Sequence, residues 1–299
     1  RAETRVTLAY HKASDAPLVS IILPTFNRAG RLAGAIESCL AQTYPSIEVV
    51  VVDDGSTDKT PAVLAELSAQ DPRVRALHQP NARLPRALNA GFRASLGEYL
   101  TWTSDDNTYA PDAIALMAAA LDANPDVGLV YCDYLEVADG GGESRRVHLP
   151  EPTLLPSQNC VGACFLYRRA VYEAVGEYDP DLFLAEDYDY WLRVAKRFPL
   201  LHLPDVCPYR YGTHPGSLTV QRQAAVRLAA VRARLKNASP GWPRLHAFLA
   251  SRGVAAEAAL EAGRPGRAAV YVLGYALCRP WNPYGWSLLG RCLRALGGR

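Results

Sequence analysis

The sequence predicts an α/β protein: a mixed, mostly parallel sheet flanked by helices, followed by a C-terminal helical appendage. Three observations predict it. Short apolar runs alternate with helical patterns through the first part of the chain, the signature of parallel strands joined by crossover helices. Three of the first four strand candidates end on unusual polar groups, where ligands sit in such sheets. Beyond residue 220 the strand signals give way to Ala-rich helical stretches. The expected organisation is a lead-in over 1–17, one large domain over 18–220 and a helical region over 221–299.

Leu18-Val-Ser-Ile-Ile-Leu23 reads as a strand covered on both faces. Pro24-Thr-Phe-Asn-Arg28 breaks it. Arg31–Ala41 carries Leu32, Ala35, Ile36, Cys39 and Leu40 at helical spacing, and Tyr44-Pro45 closes that helix. Ile47–Val52 is a second buried strand, ending on Asp53-Asp-Gly-Ser-Thr-Asp58. A helix over Lys59–Gln70, a short strand over Val74–His78 and a helix from Leu84 follow, the last with Pro85 in its first turn. Tyr99–Trp102 is the fourth strand and runs into Ser104-Asp-Asp106, with a helix expected over Pro111–Asn124. Val127–Val137 reads as one long strand and Cys160–Tyr167 as another. Arg169–Val175 and Glu186–Phe198 read as helices and Leu200–Leu203 as a last short strand. The Gly-rich stretch 138–143 and the polar stretch Tyr209–Thr219 read as loops. Ala224–Leu235 and Pro243–Ser251 are helical, and 254–296 alternates helical stretches with turns at Gly263-Arg-Pro265 and Pro280-Trp-Asn-Pro283.

Composition narrows the class. Hydrophobic content of 49% and charged content of 21% are those of an ordinary globular protein. A net charge of +2 over 299 residues offers no electrostatic case for nucleic-acid binding. The seven cysteines contain no CxxC and sit mostly in apolar runs, which points to a reducing cytoplasm without structural zinc. No run reaches the roughly 18 apolar residues of a membrane span. Position 1 is Arg and Met117 is the only methionine, so a trimmed piece of a longer chain is expected. Trp281, Tyr284 and Trp286, beside Arg279 and Arg291, either pack the helical pairs or touch a membrane surface.

The chemistry concentrates at the strand ends. Asp105 and Asp106 follow an apolar strand, and adjacent buried acids are costly unless a positive group meets them. They are either solvated turn residues or one half of a site for a divalent cation carrying a diphosphate.

Four motifs then fall in register: Val19-Ser-Ile-Ile-Leu-Pro-Thr-Phe-Asn27, Val51-Val-Asp-Asp-Gly-Ser-Thr-Asp58, Ser104-Asp-Asp106 and Glu186-Asp187. Together they resemble the inverting, family-2 glycosyltransferases of GT-A fold, over about residues 18–215. Thr103–Asp112 is especially similar to the spore-coat polysaccharide members of that family. The resemblance implies a metal-dependent, inverting hexosyltransferase. It would move sugar from a nucleoside-diphosphate sugar, UDP-sugar first among them, to a hydroxyl of a saccharide or lipid-linked acceptor, with Mn²⁺ or Mg²⁺ as cofactor. The expected place is the cytoplasm, with the inner face of the membrane as the surface it would meet. The competing reading is a degenerate nucleotide- or glycan-binding module of a larger protein. A nicotinamide oxidoreductase is disfavoured, because no G-x-G-x-x-G follows the first strand.

The resemblance implies roles residue by residue. Asp54 reads the imide of uracil or thymine, while one of Asp53 and Asp54 caps the following turn. Phe26 either stacks on the base or packs in the core, and the backbone at Pro24 and Thr25 approaches the base. Arg28, Arg83 and Arg86 are candidates for diphosphate contact, Arg83 ahead of Arg86, although Asn81-Ala-Arg83 lacks the glycine usual there. Asp105 would bond the ribose and Asp106 the metal, with Ser104 standing where the family's acidic unit has its first Asp. Asp187 is the implied base. Glu186 and Asp189 would serve the helix N-terminus or the acceptor, and His214 the diphosphate or metal.

Overall fold

The structure is a computed structural model that describes residues 16–138, 144–214, 216–217, 221–238, 242–261, 263–278 and 283–297. The lead-in up to residue 15, the Gly-rich loop 139–143, and Arg279 and Trp281 lie outside them. The leading elements are β1 (Val19–Thr25), α1 (Ala29–Leu40), β2 (Ile47–Asp53), α2 (Thr60–Gln70), β3 (Val74–His78), α3 (Leu84–Ala94) and β4 (Tyr99–Trp102). The next are β5 (Thr108–Tyr109), α4 (Ala113–Ala123), β6 (Leu129–Cys132), β7 (Tyr134–Ala138), β8 (Arg145–Val147), β9 (Phe165–Arg168) and α5 (Arg169–Val175). Last come α6 (Glu186–Val194), β10 (Leu200–Leu203), β11 (Tyr209–Thr213), α7 (Gln223–Asn237), α8 (Trp242–Glu261), α9 (Pro265–Cys278) and α10 (Pro283–Gly297).

Seven strands form the main sheet in the order β10-β6-β9-β4-β1-β2-β3. All pairs are parallel except those of β9, which runs antiparallel to β4 and β6. Every residue of β1 and β2 is buried, so both faces of these strands need cover. Successive side chains supply it by alternating across the sheet. Ile22, Val50 and Val52 join one core with Phe92 of α3 and Trp191 of α6. Ile21, Leu23, Val49 and Val51 join the other with Leu32 and Ile36 of α1 and Met117 of α4. One buried charge interrupts this pattern: Glu48 of β2 accepts hydrogen bonds from the Ser20 hydroxyl and the Leu96 N–H (both 2.6 Å) and pairs with Arg75 at 2.7 Å.

Several boundaries differ from the sequence reading. Val127–Val137 is two strands, because Asp133 turns its carboxylate into the interior and splits the run into β6 and β7. The strand expected over Cys160–Tyr167 begins only at Phe165. The helix expected over Pro243–Ser251 runs on to Glu261 as the 20-residue α8. The largest difference is Tyr209–Thr219. Its first part is strand β11, which completes a second, four-stranded sheet in the order β5-β11-β7-β8. Tyr209 and Tyr211 lie two apart and both pack into the adjoining core, the period of a strand.

After the domain, α7 packs on α6, and α8–α10 close around Ala256, Ala268, Val272, Leu288 and Cys292. Asp189 fastens this junction. It is fully buried and pairs with Arg193 at 2.9 Å and Lys236 at 3.0 Å, and it accepts from the Asn237 amide at 2.7 Å. Asp189, in the first turn of α6, thus engages its carboxylate with α7. Asp189→Ala should lower stability by about 1.5–3 kcal/mol, the usual worth of hydrogen bonds to charge. Chemical denaturation with unchanged m-value checks it.

Candidate active site

In the sheet β4, β1 and β2 are neighbours and parallel, so Thr25, Asp53 and Asp54 and the acidic motif emerge at one edge. The Asp54 N–H donates to the Thr25 carbonyl at 2.9 Å and stitches β1 to β2 at that edge. The Thr25 hydroxyl donates to Asp105 Oδ2 at 2.7 Å, and Arg28 Nε lies 3.6 Å from Asp105 Oδ1. Pro24, Thr25, Arg28, Asp54 and Asp105 are thus brought together. Burial pushes the Asp105 carboxyl up to about 6 against the opposing pull of the Thr25 hydroxyl and the Arg28 guanidinium.

The two adjacent aspartates of β2 have different tasks. Asp53 Oδ1 accepts from the Ser56 N–H at 3.0 Å, and its Oδ2 is 3.1 Å from His78 Nδ1. Asp53 is the turn-capping member. Asp54 reaches across to the segment before α3. It accepts from the Gln79 amide (2.7 Å) and from the N–H groups of Ala82 (2.8 Å) and Arg83 (2.9 Å). Gly55, at φ +80, lets this crossing happen, since a Cβ there would meet Asn81 N at 2.7 Å. Phe26 is 46% exposed, which removes the core reading.

Arg83 stands where the family pattern would place a glycine, and its backbone shows it. Its φ of 70 and ψ of 164 fall in a region that is essentially glycine's alone. The two N–H bonds to Asp54 hold it there. Its guanidinium lies over the Phe183 ring at 5.9 Å, which ties the strand-end loops to the turn before α6. Arg86 lines a groove of about 440 Å³ with Gln79, Asn81, Ala82, Asn89 and Arg93. Arg83→Gly should melt above Arg83→Ala by about 1–3 kcal/mol, since both lose the guanidinium and only glycine relieves the strain. Paired thermal melts of the two variants check it.

The Glu186-Asp187 pair divides in the same way as the β2 pair. Glu186 is buried and folds back to accept the N–H of Leu184 at 2.7 Å, itself at φ 77. Asp187 is half-buried and accepts from the Tyr188 N–H at 2.7 Å and the Asn159 amide at 3.0 Å. Burial raises both carboxyls, and the Asp187 charge raises Glu186 further. Beneath them an aromatic stack fixes the helix: Tyr178 and Tyr190 lie 4.2 Å apart and nearly parallel, and Trp191 meets Phe165 edge-on at 4.6 Å. Asn159 was not legible in the sequence. It precedes a short apolar run and carries no motif.

At the acidic motif the second sheet supplies the remaining wall. The Gly212 N–H donates to Asn107 Oδ1 at 2.9 Å, and a Cβ on Gly212 would overlap the Asp106 carbonyl oxygen. This close approach sets His214 Nε2 3.0 Å from Asp106 Oδ2. The Gly216 N–H donates to His214 Nδ1 at 3.1 Å, so the neutral ring carries its proton on Nε2 and gives it to Asp106. In this arrangement His214 orients the carboxylate and leaves Oδ1 as the oxygen suited to a hard divalent cation. One carboxylate fits Mg²⁺ or Mn²⁺ only if diphosphate and water complete a shell of about six ligands.

Among the described residues a second group of metal-capable side chains is Asp133, His148 and Asp205, with ligand atoms within 4.8 Å. Asp133 already meets His148 Nδ1, His202 Nε2 and the N–H groups of Leu149 and Asp205. Those four contacts are those of a carboxylate that fastens loops.

A parallel sheet with acids and arginines gathered at its carboxyl edge is the architecture of the GT-A class. The family model described as Glycosyl transferase family 2 matches residues 20–176, more than half of the chain, and the chain belongs to that family. It is similar to an uncharacterized glycosyltransferase of Rickettsia felis, 36% identical over 197 residues that cover 62% of this chain and 32% of the relative. It is also similar to the uncharacterized glycosyltransferase EpsJ of Bacillus subtilis, 26% identical, covering 68% of this chain and 63% of EpsJ. The chain spans between 25% and 59% of the length of the first curated relatives it matches.

Among solved structures it resembles S. aureus TarS in complex with UDP-GlcNAc, at TM-score 0.60, 17% identity and coverage of 93% of this chain and 81% of that one. It also resembles the mannosyltransferase PcManGT of Pyrobaculum calidifontis in complex with GDP-Man and Mn²⁺, at TM-score 0.57, 24% identity and coverage of 94% and 86%. These likenesses show the GT-A fold.

Proposed function

We propose that this protein is a metal-dependent, inverting glycosyltransferase that moves a hexose from a UDP-sugar to a hydroxyl of a saccharide or lipid-linked saccharide. The observation that carries the reading is that Thr25, Arg28, Asp54 and Asp105 gather at the carboxyl edge of the parallel strands β4, β1 and β2. In the β2 and α6 pairs one acid, Asp53 or Glu186, is engaged with its own loop, while Asp105 and Asp106 are held by separate partners, Thr25 with Arg28 and His214. Pro24, Thr25 and Phe26 would receive the base, with Asp54 fixing the loop that closes over it and keeping carboxylate capacity for the imide. Asp105 would bond the ribose, and Arg28 and Arg83 the diphosphate, since guanidinium suits phosphate. Asp106, oriented by His214, would hold Mn²⁺ or Mg²⁺, which when bound neutralises charge on the departing diphosphate.

Asp187 would take the proton of the acceptor hydroxyl as its oxygen attacks the anomeric carbon from the face opposite the diphosphate. Its environment suits a base. Burial raises its proton affinity, while the Asn159 amide and Tyr188 N–H keep the ionised form accessible. A base works only when ionised, so activity should be present above the raised pKa and fall as pH drops through it. The acid limb of kcat/KM should therefore lie above the ordinary carboxylate value of about 4. Asn159→Ala removes a donor to the charged form and should move that limb to higher pH. Rate profiles of both proteins check it.

The function as a whole is tested by a thermal-shift screen of nucleoside diphosphates and their sugars with Mn²⁺, followed by assay of donor consumption. Stabilisation by UDP-sugar together with its turnover supports a transferase. Stabilisation with no turnover for any acceptor or water would favour the binding-module reading, which the Ser104 position in the acidic unit favours.

A further inference from the structure

The net charge of +2 hides a division. Residues 1–220 hold 19 Lys and Arg against 28 Asp and Glu, whereas residues 221–299 hold 13 against 2. The helical region is therefore strongly basic, and its two acids, Glu257 and Glu261, cannot balance it. The same region concentrates exposed apolar surface. Of the eleven large apolar side chains exposed among the described residues, seven lie on α8, α9 and α10. On α10, Leu288 and Cys292 are buried in the bundle, while Trp286 (43%), Leu293 (57%) and Leu296 (43%) stay exposed. Their spacing of i, i+7 and i+10 puts them on one stripe, with exposed Arg294 bordering it about 80° from Trp286.

We propose that this face of α10 lies in the interface of an anionic phospholipid bilayer. Trp, Leu and Arg side by side on one helix are what such an interface rewards: apolar groups enter the headgroup boundary and guanidinium groups meet the lipid phosphates. A nucleic acid would reward the charge but leave Trp286, Leu293 and Leu296 in water. No described helix is long and apolar enough to cross a membrane, and the contact proposed is one in the plane of the interface. The proposal does not depend on the transferase reading.

The test is flotation of the protein with vesicles of pure phosphatidylcholine or of phosphatidylcholine mixed with phosphatidylglycerol. Binding should require the anionic lipid and weaken as salt rises. A Trp286→Ser, Leu293→Ser double variant should lose at least about tenfold in vesicle affinity, from the apolar surface no longer buried. Its melting temperature and its stabilisation by UDP and Mn²⁺ should remain those of the unaltered protein, which separates loss of the face from loss of the fold or site. Arg294→Gln should weaken the salt dependence. Equal binding to both vesicle types, no binding to either, or a double variant that floats as well as the original would overturn the proposal. A dimer in light scattering that the double variant abolishes, without vesicle binding, would assign the face to self-association and overturn it equally.

Discussion

Asp187→Asn is expected to lower turnover by roughly 10²–10⁴-fold, the usual contribution of a positioned general base. The substitution keeps the size of the side chain and its oxygen contact with the Tyr188 N–H, so α6 should begin as before. It removes the lone pair that would receive the acceptor proton. Affinity for UDP should stay within a few-fold of the original, because the proposed base and ribose contacts lie on β1, β2 and the acidic motif. The partner substitution sharpens the result. Glu186 is buried and holds the Leu184 N–H, so Glu186→Gln should act chiefly on stability and leave the pH limb in place. An Asp187→Asn enzyme with ordinary turnover would remove Asp187 from the chemistry. A Glu186→Gln enzyme that loses the limb would exchange their roles.

Asp106→Ala should abolish the metal-dependent part of nucleotide binding, a loss of at least roughly 100-fold. Removing only an outer-shell partner of a metal ligand typically costs 10–100-fold. Ser104 leaves the first position of the acidic unit without a carboxylate, Asp105 is engaged by the Thr25 hydroxyl and Arg28, and His214 Nε2 meets Asp106. His214→Ala should therefore cost less than Asp106→Ala, since it loosens the carboxylate without removing it. Titration of UDP into both variants, in Mn²⁺ and in chelator, separates the two effects.

Much of the fold was legible because burial on both faces leaves a strong mark. Val19–Leu23 and Ile47–Val52 are apolar except at Ser20 and Glu48, the run that a parallel strand covered on both faces calls for. The acidic strand ends were legible for the opposite reason, being polar groups where folding asks for none. What escaped were contacts made over long separations. Asn159 meets Asp187 across 28 residues, and β11 meets the acidic motif across more than 100, neither with any local pattern. Gly212 was the one local hint for β11, since a glycine inside a strand marks a close approach. The split of β6 from β7 escaped because Asp133 reads as a surface acid until His148 and His202 are seen around it. The charge of the helical region was visible throughout, but a whole-chain total averaged it away.

The central claim is that Asp54, Asp105 and Asp106 serve one nucleotide through one cation. Calorimetric titration of UDP into the unaltered protein and into Asp106→Ala, each with Mn²⁺ and with EDTA, tests it most directly. Tight binding to the unaltered protein in Mn²⁺ alone, lost in EDTA and lost in the variant, is the predicted result. UDP binding indifferent to both the chelator and the substitution would contradict it.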